Sequence, residues 1–95
     1  MKVQNMQSSR GNDVPNQFII RTETPAGKET YFQSYRSVIV LERWEANHSR
    51  KVYLDSYYWD YSRTTGKYRN QFLGESKAET QKKIDSGEYI LTDLN

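Results

Sequence analysis

The sequence predicts an α+β domain: an antiparallel sheet of four to five strands, with two short helices from the C-terminal half packed on one face. Three observations lead to this prediction. Residues 17–55 alternate apolar and polar side chains between turn-forming residues, and residues 64–87 carry signals for helix starts and ends. The 13 aromatic residues (two Trp, eight Tyr and three Phe) enlarge a core that the few aliphatic residues would leave small.

The chain has 95 residues, the length of a single domain. Turn-forming residues fill Ser8–Asp13, so we expect residues 1–16 to be an N-terminal arm or irregular segment. Residues 17–55 are expected to form a β-meander. Residues 56–95 are expected to form an aromatic and helical region that ends in a short strand near Glu88–Leu91.

Two hairpins account for the meander. Residues 17–33 fold back at Thr24–Gly27, where Pro25 sets φ and Gly27 can adopt a positive φ. After a break at Ser34–Ser37, residues 38–55 form the second hairpin. Its first strand contains four consecutive aliphatic residues, Val38–Leu41, which is typical of a central strand covered on both faces.

Capping residues predict the helices. Thr64 or Thr65 can begin a helix that places Tyr68 and Phe72 on one side, and Gly74 suits its C-terminal end. Ser76 and Glu79 have the spacing of a capping box, which should begin a second helix that runs to Ser86. Glu79 and Lys83 are then four residues apart, a favourable spacing for an ion pair.

Composition excludes several classes of protein. The absence of Cys excludes a disulfide scaffold and a cysteine metal site, and no apolar run is long enough to cross a membrane. The N-terminus has no secretory signal, so we expect the cytoplasm. His48 is the single histidine and lies in a polar loop, which leaves Asp55 and Asp60 as the only candidate catalytic pair. We therefore expect no enzymatic activity and no cofactor.

Aromatic and basic residues are concentrated between residues 57 and 69. Tyr58, Trp59 and Tyr68 can serve the core, but adjacent aromatic residues in one segment cannot all point inward, so one or two should be exposed. The predicted partner-binding residues are Tyr57, Tyr61, Arg63, Lys67 and Arg69, with Arg10 from the arm. Rings and cations in this pattern fit a protein-binding surface or a nucleic-acid surface. A solvated face around an aromatic core is the third interpretation.

Four segments resemble a family of small uncharacterised proteins from bacteriophages and bacterial mobile elements. These segments are Ser9–Asn12 with Asn16–Phe18, Tyr31–Tyr35, Tyr58–Ser62 with Thr64–Thr65, and Tyr68–Gly74. The resemblance implies an accessory protein that acts in the bacterial cytoplasm. We therefore expect it to bind and modulate a host protein machine, for example as an inhibitor of an anti-phage defence system. The alternative is a small nucleic-acid-binding protein that uses residues 57–69.

Overall fold

The computed structural model describes all residues, 1–95, as six strands and two helices. In chain order they are β1 Lys2–Gln7, β2 Asp13–Thr24, β3 Gly27–Ser34, β4 Ser37–Glu45, β5 Arg50–Asp55, α1 Arg63–Leu73, α2 Lys77–Asp85 and β6 Tyr89–Thr92. The strands form one sheet in sequential order, antiparallel from β1 to β5, and β6 pairs parallel to β5. The α+β class is confirmed. The sheet, however, has six strands and is mixed, whereas four to five antiparallel strands were expected.

The expectation of an irregular N-terminal arm was wrong. Residues 1–16 contain β1, the turn at Ser8–Asn12 and the start of β2. β1 pairs with β2 from Lys2 opposite Arg21 to Gln7 opposite Asp13. Backbone pairing with a longer neighbour stabilises this polar edge strand, although its own side chains give little sign of a strand.

The two predicted hairpins are confirmed. β2 and β3 join through the turn at Pro25 and Ala26, and β4 and β5 form the second hairpin. β4 has two strands on one side and three on the other, and Ile39, Val40 and Leu41 are all buried. The aliphatic run therefore marks the central strand, as predicted.

The hydrophobic core lies between one face of the sheet and the two helices. A cross-strand row of Ile19, Phe32, Val40 and Leu54 supplies the sheet side. Phe72 of α1 stacks on Phe32, with ring centroids 5.9 Å apart and planes inclined by 25°. Both helices pack on this face, which leaves the other face of the sheet uncovered by any helix.

The helix ends differ from the prediction in two details. Ser62 caps α1, because its Oγ accepts the Thr65 N–H at 3.1 Å, so neither Thr64 nor Thr65 is the cap. Gly74 ends α1 in the left-handed conformation, as predicted. The capping box of α2 is confirmed. Lys83 pairs with Glu75 at 3.0 Å, where a pair with Glu79 was expected.

The helices connect two parallel neighbours, β5 and β6. This connection explains the parallel pairing, because parallel neighbours need a crossover and here α1 and α2 supply it. Neither helix is long and apolar enough to cross a membrane.

Candidate functional site

One end of the sheet collects three exposed tyrosines. The β3–β4 turn and the segment between β5 and α1 both lie at this end, since β3 and β5 run towards it. They border a pocket of about 750 Å³. Its side-chain lining includes Phe18, Tyr35, Arg36, Ile39, Tyr58 and Tyr61. We call the surface formed by Tyr35, Arg36, Tyr57, Tyr58 and Tyr61 the tyrosine–arginine end.

The β3–β4 turn holds Tyr35 in an uncommon backbone conformation. Tyr35 has φ of 56° and Asn16 has φ of 64°, both in the left-handed region that non-glycine residues seldom adopt. The Tyr35 N–H donates to the Asn16 carbonyl at 2.7 Å, and the Gln33 side chain donates to the Tyr35 carbonyl at 2.8 Å. Residues held in this way are concentrated at functional sites. Here they hold Tyr35, which is 56% exposed, in the lining of the pocket.

Asp55 anchors the segment that carries the other tyrosines. Its buried carboxylate accepts the N–H groups of Tyr57 at 3.1 Å, Tyr58 at 2.8 Å and Leu94 at 2.8 Å, and also the Asn95 side-chain amide at 3.1 Å. Burial opposes ionisation, but these hydrogen bonds outweigh it and hold the pKa of Asp55 below its ordinary value. The carboxylate therefore fixes the turn after β5 and joins it to the C-terminus.

Three tyrosine rings follow this turn in edge-to-face contact. The Tyr58 ring lies 4.7 Å from the Tyr57 ring and 5.4 Å from the Tyr61 ring, centroid to centroid. Tyr58 packs against the core, whereas Tyr57 is 75% exposed and Tyr61 is 64% exposed. The expectation that one or two rings of this cluster point outward is confirmed. A ring fixed in the core supports two exposed rings.

Arg69 is not part of the exposed surface. Its side chain is 1% exposed, lies over the Trp59 ring, and donates to the Trp59 carbonyl at 2.6 Å and to Asn70 Oδ1 at 3.0 Å. Asp60 lies 2.6 Å from the Lys77 ammonium and 3.4 Å from the Arg69 guanidinium. Lys77 first, and then Arg69, hold the pKa of Asp60 below its ordinary value. The expectation of Arg69 as a surface cation was therefore wrong.

Arg63 and Lys67 remain exposed on α1 and form no ion pair. They line a polar cleft of about 640 Å³ together with Asp60, Asn70 and Lys77. Ser62 lies between this cleft and the aromatic pocket and contributes to both walls. Arg10 is exposed in the β1–β2 turn and lines neither.

The predicted site residues thus separate into groups. Tyr57 and Tyr61 belong to the tyrosine–arginine end, and Arg63 and Lys67 to the neighbouring polar cleft. Sequence reasoning missed Tyr35 and Arg36, which it treated only as a break between strands. The available signal was a bulky aromatic residue beside an arginine in a tight turn, where small residues are usual.

Residues 1–88 match the family model described as a family of unknown function, DUF8033. The chain belongs to DUF8033. The match includes both the tyrosine–arginine end and the polar cleft, so the whole candidate site lies within the DUF8033 region. No curated protein and no solved structure is significantly similar to the chain.

Proposed function

We propose that this DUF8033 protein is a non-enzymatic binding protein whose tyrosine–arginine end engages a protein partner. Its setting, implied by the resemblance, is a bacteriophage or mobile element, and the partner is a protein machine in the cytoplasm of the bacterial host. Inhibition of an anti-phage defence system is one such role. The observation that carries the proposal is a pocket of about 750 Å³ lined by two exposed tyrosines, Tyr35 and Tyr61, and by the unpaired Arg36. The third exposed tyrosine, Tyr57, packs against Tyr58, which also lines the pocket.

The composition of this surface favours a protein partner. Tyrosine and arginine are enriched among residues that dominate protein–protein binding energy, where truncation of one side chain can cost about 2 kcal/mol or more. Tyr35, Tyr57 and Tyr61 offer large apolar rings that have only two side-chain torsions to immobilise. Arg36 makes no ion pair within the chain, so its guanidinium is available to a partner carboxylate or carbonyl.

The backbone of the tyrosine–arginine end is already held in place in the free protein, which lowers the entropic cost of binding a partner. Asp55 fixes the backbone beneath Tyr57 and Tyr58, and the contact between Asn16 and Tyr35 fixes the opposite wall. Groups that are already ordered lose less entropy when a partner binds. This arrangement supports recognition by a preformed surface.

The polar cleft supports the alternative, binding of a nucleic acid. Arg63 and Lys67 are unpaired there and lie beside the exposed tyrosines, so phosphates could be bound next to stacked bases. Two observations weaken this alternative. Arg69 is engaged within the fold, and the chain has a net charge of only +2.

Affinity capture from bacterial host lysate, after nuclease treatment and with quantitative mass spectrometry, tests the proposal. Tyr61→Ala and Arg36→Ala should each reduce recovery of the same host protein at least tenfold relative to the natural chain. Trp44→Ala is the matched control, because Trp44 is an exposed aromatic residue at the opposite end of the sheet. It should retain the partner.

Gel shifts with single- and double-stranded DNA and RNA test the alternative. Tight, salt-sensitive binding that is lost in Arg63→Ala and Lys67→Ala, with no enriched protein partner, would replace the proposal by nucleic-acid binding. Equal recovery of the partner by Tyr61→Ala, Arg36→Ala and Trp44→Ala would exclude the tyrosine–arginine end as the binding surface.

A further inference from the structure

The polar cleft beside the tyrosine–arginine end concentrates the positive charge of the chain. Four basic residues and one acidic residue line it, so the cleft carries a charge of +3; they are Arg63, Lys67, Arg69 and Lys77, with Asp60. The whole chain has a net charge of +2, which leaves −1 for all its other residues. No apolar side chain is in the cleft lining. We infer that this cleft is a binding site for the phosphate group of a small phosphate monoester.

Two of these cations lie where they weaken a helix. Arg63 is the first residue of α1 and Lys77 is the first residue of α2, at the positive ends of the two helix dipoles. Asp60 pairs with Lys77, whereas Arg63 has no ion pair and the first turn of α1 has no acidic residue. An anion bound beside Arg63 would remove this repulsion, because the helix N-terminus and the guanidinium both attract it.

Gly66, which also lines the cleft, is a second departure from ordinary helix composition. It lies inside α1, where glycine is less favourable than alanine. Packing does not require it, because an added Cβ would meet only the Arg69 guanidinium, at the ordinary van der Waals distances of 3.6 to 3.9 Å. The glycine leaves the helix surface open between Arg63 and Lys67, so a ligand can approach the backbone closely. Departures from local preference of this kind are expected at functional sites.

Arg69 lines the cleft from its buried side. Its side chain is 1% exposed, and its Nε has no hydrogen-bond partner. Its terminal nitrogens are held by the Trp59 carbonyl and by Asn70, so the guanidinium is a positive charge in a fixed position. Salt screens a buried charge much less than an exposed one. An anion in the cleft is therefore attracted by Arg69 even without direct contact.

A phosphate monoester matches the charge and the size of the cleft. It carries about −1.5 to −2 charges at pH 7 and three strong acceptor oxygens, whereas a carboxylate carries a single charge. Arg63 and Lys67 can donate to these oxygens directly, and Lys77 has further N–H groups besides the one that faces Asp60. The volume of about 640 Å³ is typical of small-ligand sites, so the organic part of the ester also fits. The polar lining favours a hydroxylated organic part, such as a sugar.

The distribution of charge favours one phosphate group over a polynucleotide. A bound strand needs cations that follow its backbone over several nucleotides. Outside the cleft the chain carries a net charge of −1, and Arg10, in the β1–β2 turn, does not line the cleft. The positive charge is therefore concentrated at one point, as a single phosphate group requires.

Titration of the full chain at constant ionic strength, followed by backbone amide NMR signals, tests the site. The probes are ribose 5-phosphate and ribose, which differ only in the phosphate group. Ribose 5-phosphate should shift, and saturate, the amide signals of the residues around the cleft: Ser62, Arg63, Gly66 and Lys67. Ribose should shift none of them. A response to ribose 5-phosphate that equals the response to ribose, or that does not saturate by ~10 mM, would overturn the proposal.

Charge-neutral variants show whether the cleft itself binds the phosphate. Lys67→Gln should weaken binding of ribose 5-phosphate about tenfold, because it removes a charge-assisted hydrogen bond. Lys82→Gln is the matched control, since Lys82 is also an exposed helical lysine without an ion pair but lies outside the cleft. Gly66→Ala should raise the urea midpoint of unfolding and yet weaken binding roughly threefold or more. Equal affinity of Lys67→Gln and Lys82→Gln would overturn the assignment of the site.

A short single-stranded DNA without a terminal phosphate separates the monoester from a polynucleotide. It should bind the cleft about tenfold or more weakly than ribose 5-phosphate, because its phosphates are diesters with one charge each. Tighter binding of the DNA would replace the proposal by nucleic-acid binding. These titrations need no protein partner and involve no residue of the tyrosine–arginine end. Their result is therefore independent of whether a host protein is captured.

Discussion

The Arg69 guanidinium lies 5.2 Å from the centroid of the Trp59 ring and donates to the Trp59 carbonyl at 2.6 Å. This contact joins α1 to the end of the segment that carries the exposed tyrosines. A buried arginine is costly unless its donors are used. Here the two terminal nitrogens donate to the Trp59 carbonyl, Asp60 and Asn70, whereas Nε has no partner. Arg69, which the sequence predicted to be a partner-binding residue, therefore stabilises the segment beside the candidate site.

Arg69→Met should lower the free energy of unfolding by about 2–4 kcal/mol, because it leaves buried acceptors without their donor. Urea denaturation of the variant and the natural chain measures the difference. Arg63→Met is the control on the same helix, since Arg63 is exposed and unpaired, and its effect should stay within ~0.5 kcal/mol. Equal stability of the two variants would contradict the structural role of Arg69.

The elements with a strong local signal were predictable. The hairpins follow from alternating side chains and from Pro25 with Gly27, and α2 follows from the Ser76–Glu79 capping box. β1 was missed because its apolar residues, Val3 and Met6, fall on no regular alternation, and its pairing with β2 is a tertiary contact. The parallel direction of β6 likewise depends on the path of the helices over the sheet.

The candidate site was predictable only in part. Exposure of two tyrosines in the cluster followed from crowding, since neighbouring rings cannot share one side of a segment. The burial of Arg69 depends on Trp59, ten residues earlier, which a helical pattern around Arg69 does not reveal. The contribution of Tyr35 depends on the contact of its turn with Asn16, which only the register between β2 and β3 creates.

Asp55→Asn should destabilise the protein by about 1–3 kcal/mol at pH 7, since an amide cannot accept at both positions where the carboxylate does. Because the pKa of Asp55 is lower in the folded chain than its value of about 3.9 in the unfolded chain, its stabilisation is present above that pH and is lost as the pH falls. The variant should therefore lose less stability than the natural chain between pH 5 and pH 2.

Urea denaturation at several pH values measures this dependence. Glu88→Gln is the control, because Glu88 is exposed and forms no ion pair. The stability of Glu88→Gln should fall with decreasing pH about as steeply as that of the natural chain. Asp60 and Glu75 also have lowered pKa values, so part of the slope should persist in Asp55→Asn. If the stability of Asp55→Asn fell with pH as steeply as that of the natural chain, the lowered pKa of Asp55 in the folded chain would be contradicted.

Tyr89→Phe should cost about 1.5–3 kcal/mol, because the Tyr89 hydroxyl donates to the buried Glu75 carboxylate at 2.6 Å. Glu75 also accepts from Thr80 at 2.8 Å and Lys83 at 3.0 Å, so this carboxylate joins α2 to β6. Thermal and urea unfolding measure the loss. Tyr53→Phe provides the comparison, since Tyr53 is in the adjacent strand and should change stability by less than ~0.5 kcal/mol. Similar losses in both variants would show that the hydroxyl of Tyr89 has no special role.

Gly27→Ala should be the most damaging change among the turn glycines. Gly27 has φ of 147°, and an added Cβ would lie 2.0 Å from the Trp44 carbonyl oxygen, so the β2–β3 turn would have to move away from β4. We expect a loss of at least ~2 kcal/mol, against ~1–2 kcal/mol for Gly11→Ala, where φ is positive but no atom lies within 4 Å. Denaturant unfolding gives both values. Gly27 is at the sheet end opposite the tyrosine–arginine end. The folded fraction of Gly27→Ala should therefore bind the protein partner with unchanged affinity. A loss of affinity in this folded fraction would place the binding surface elsewhere.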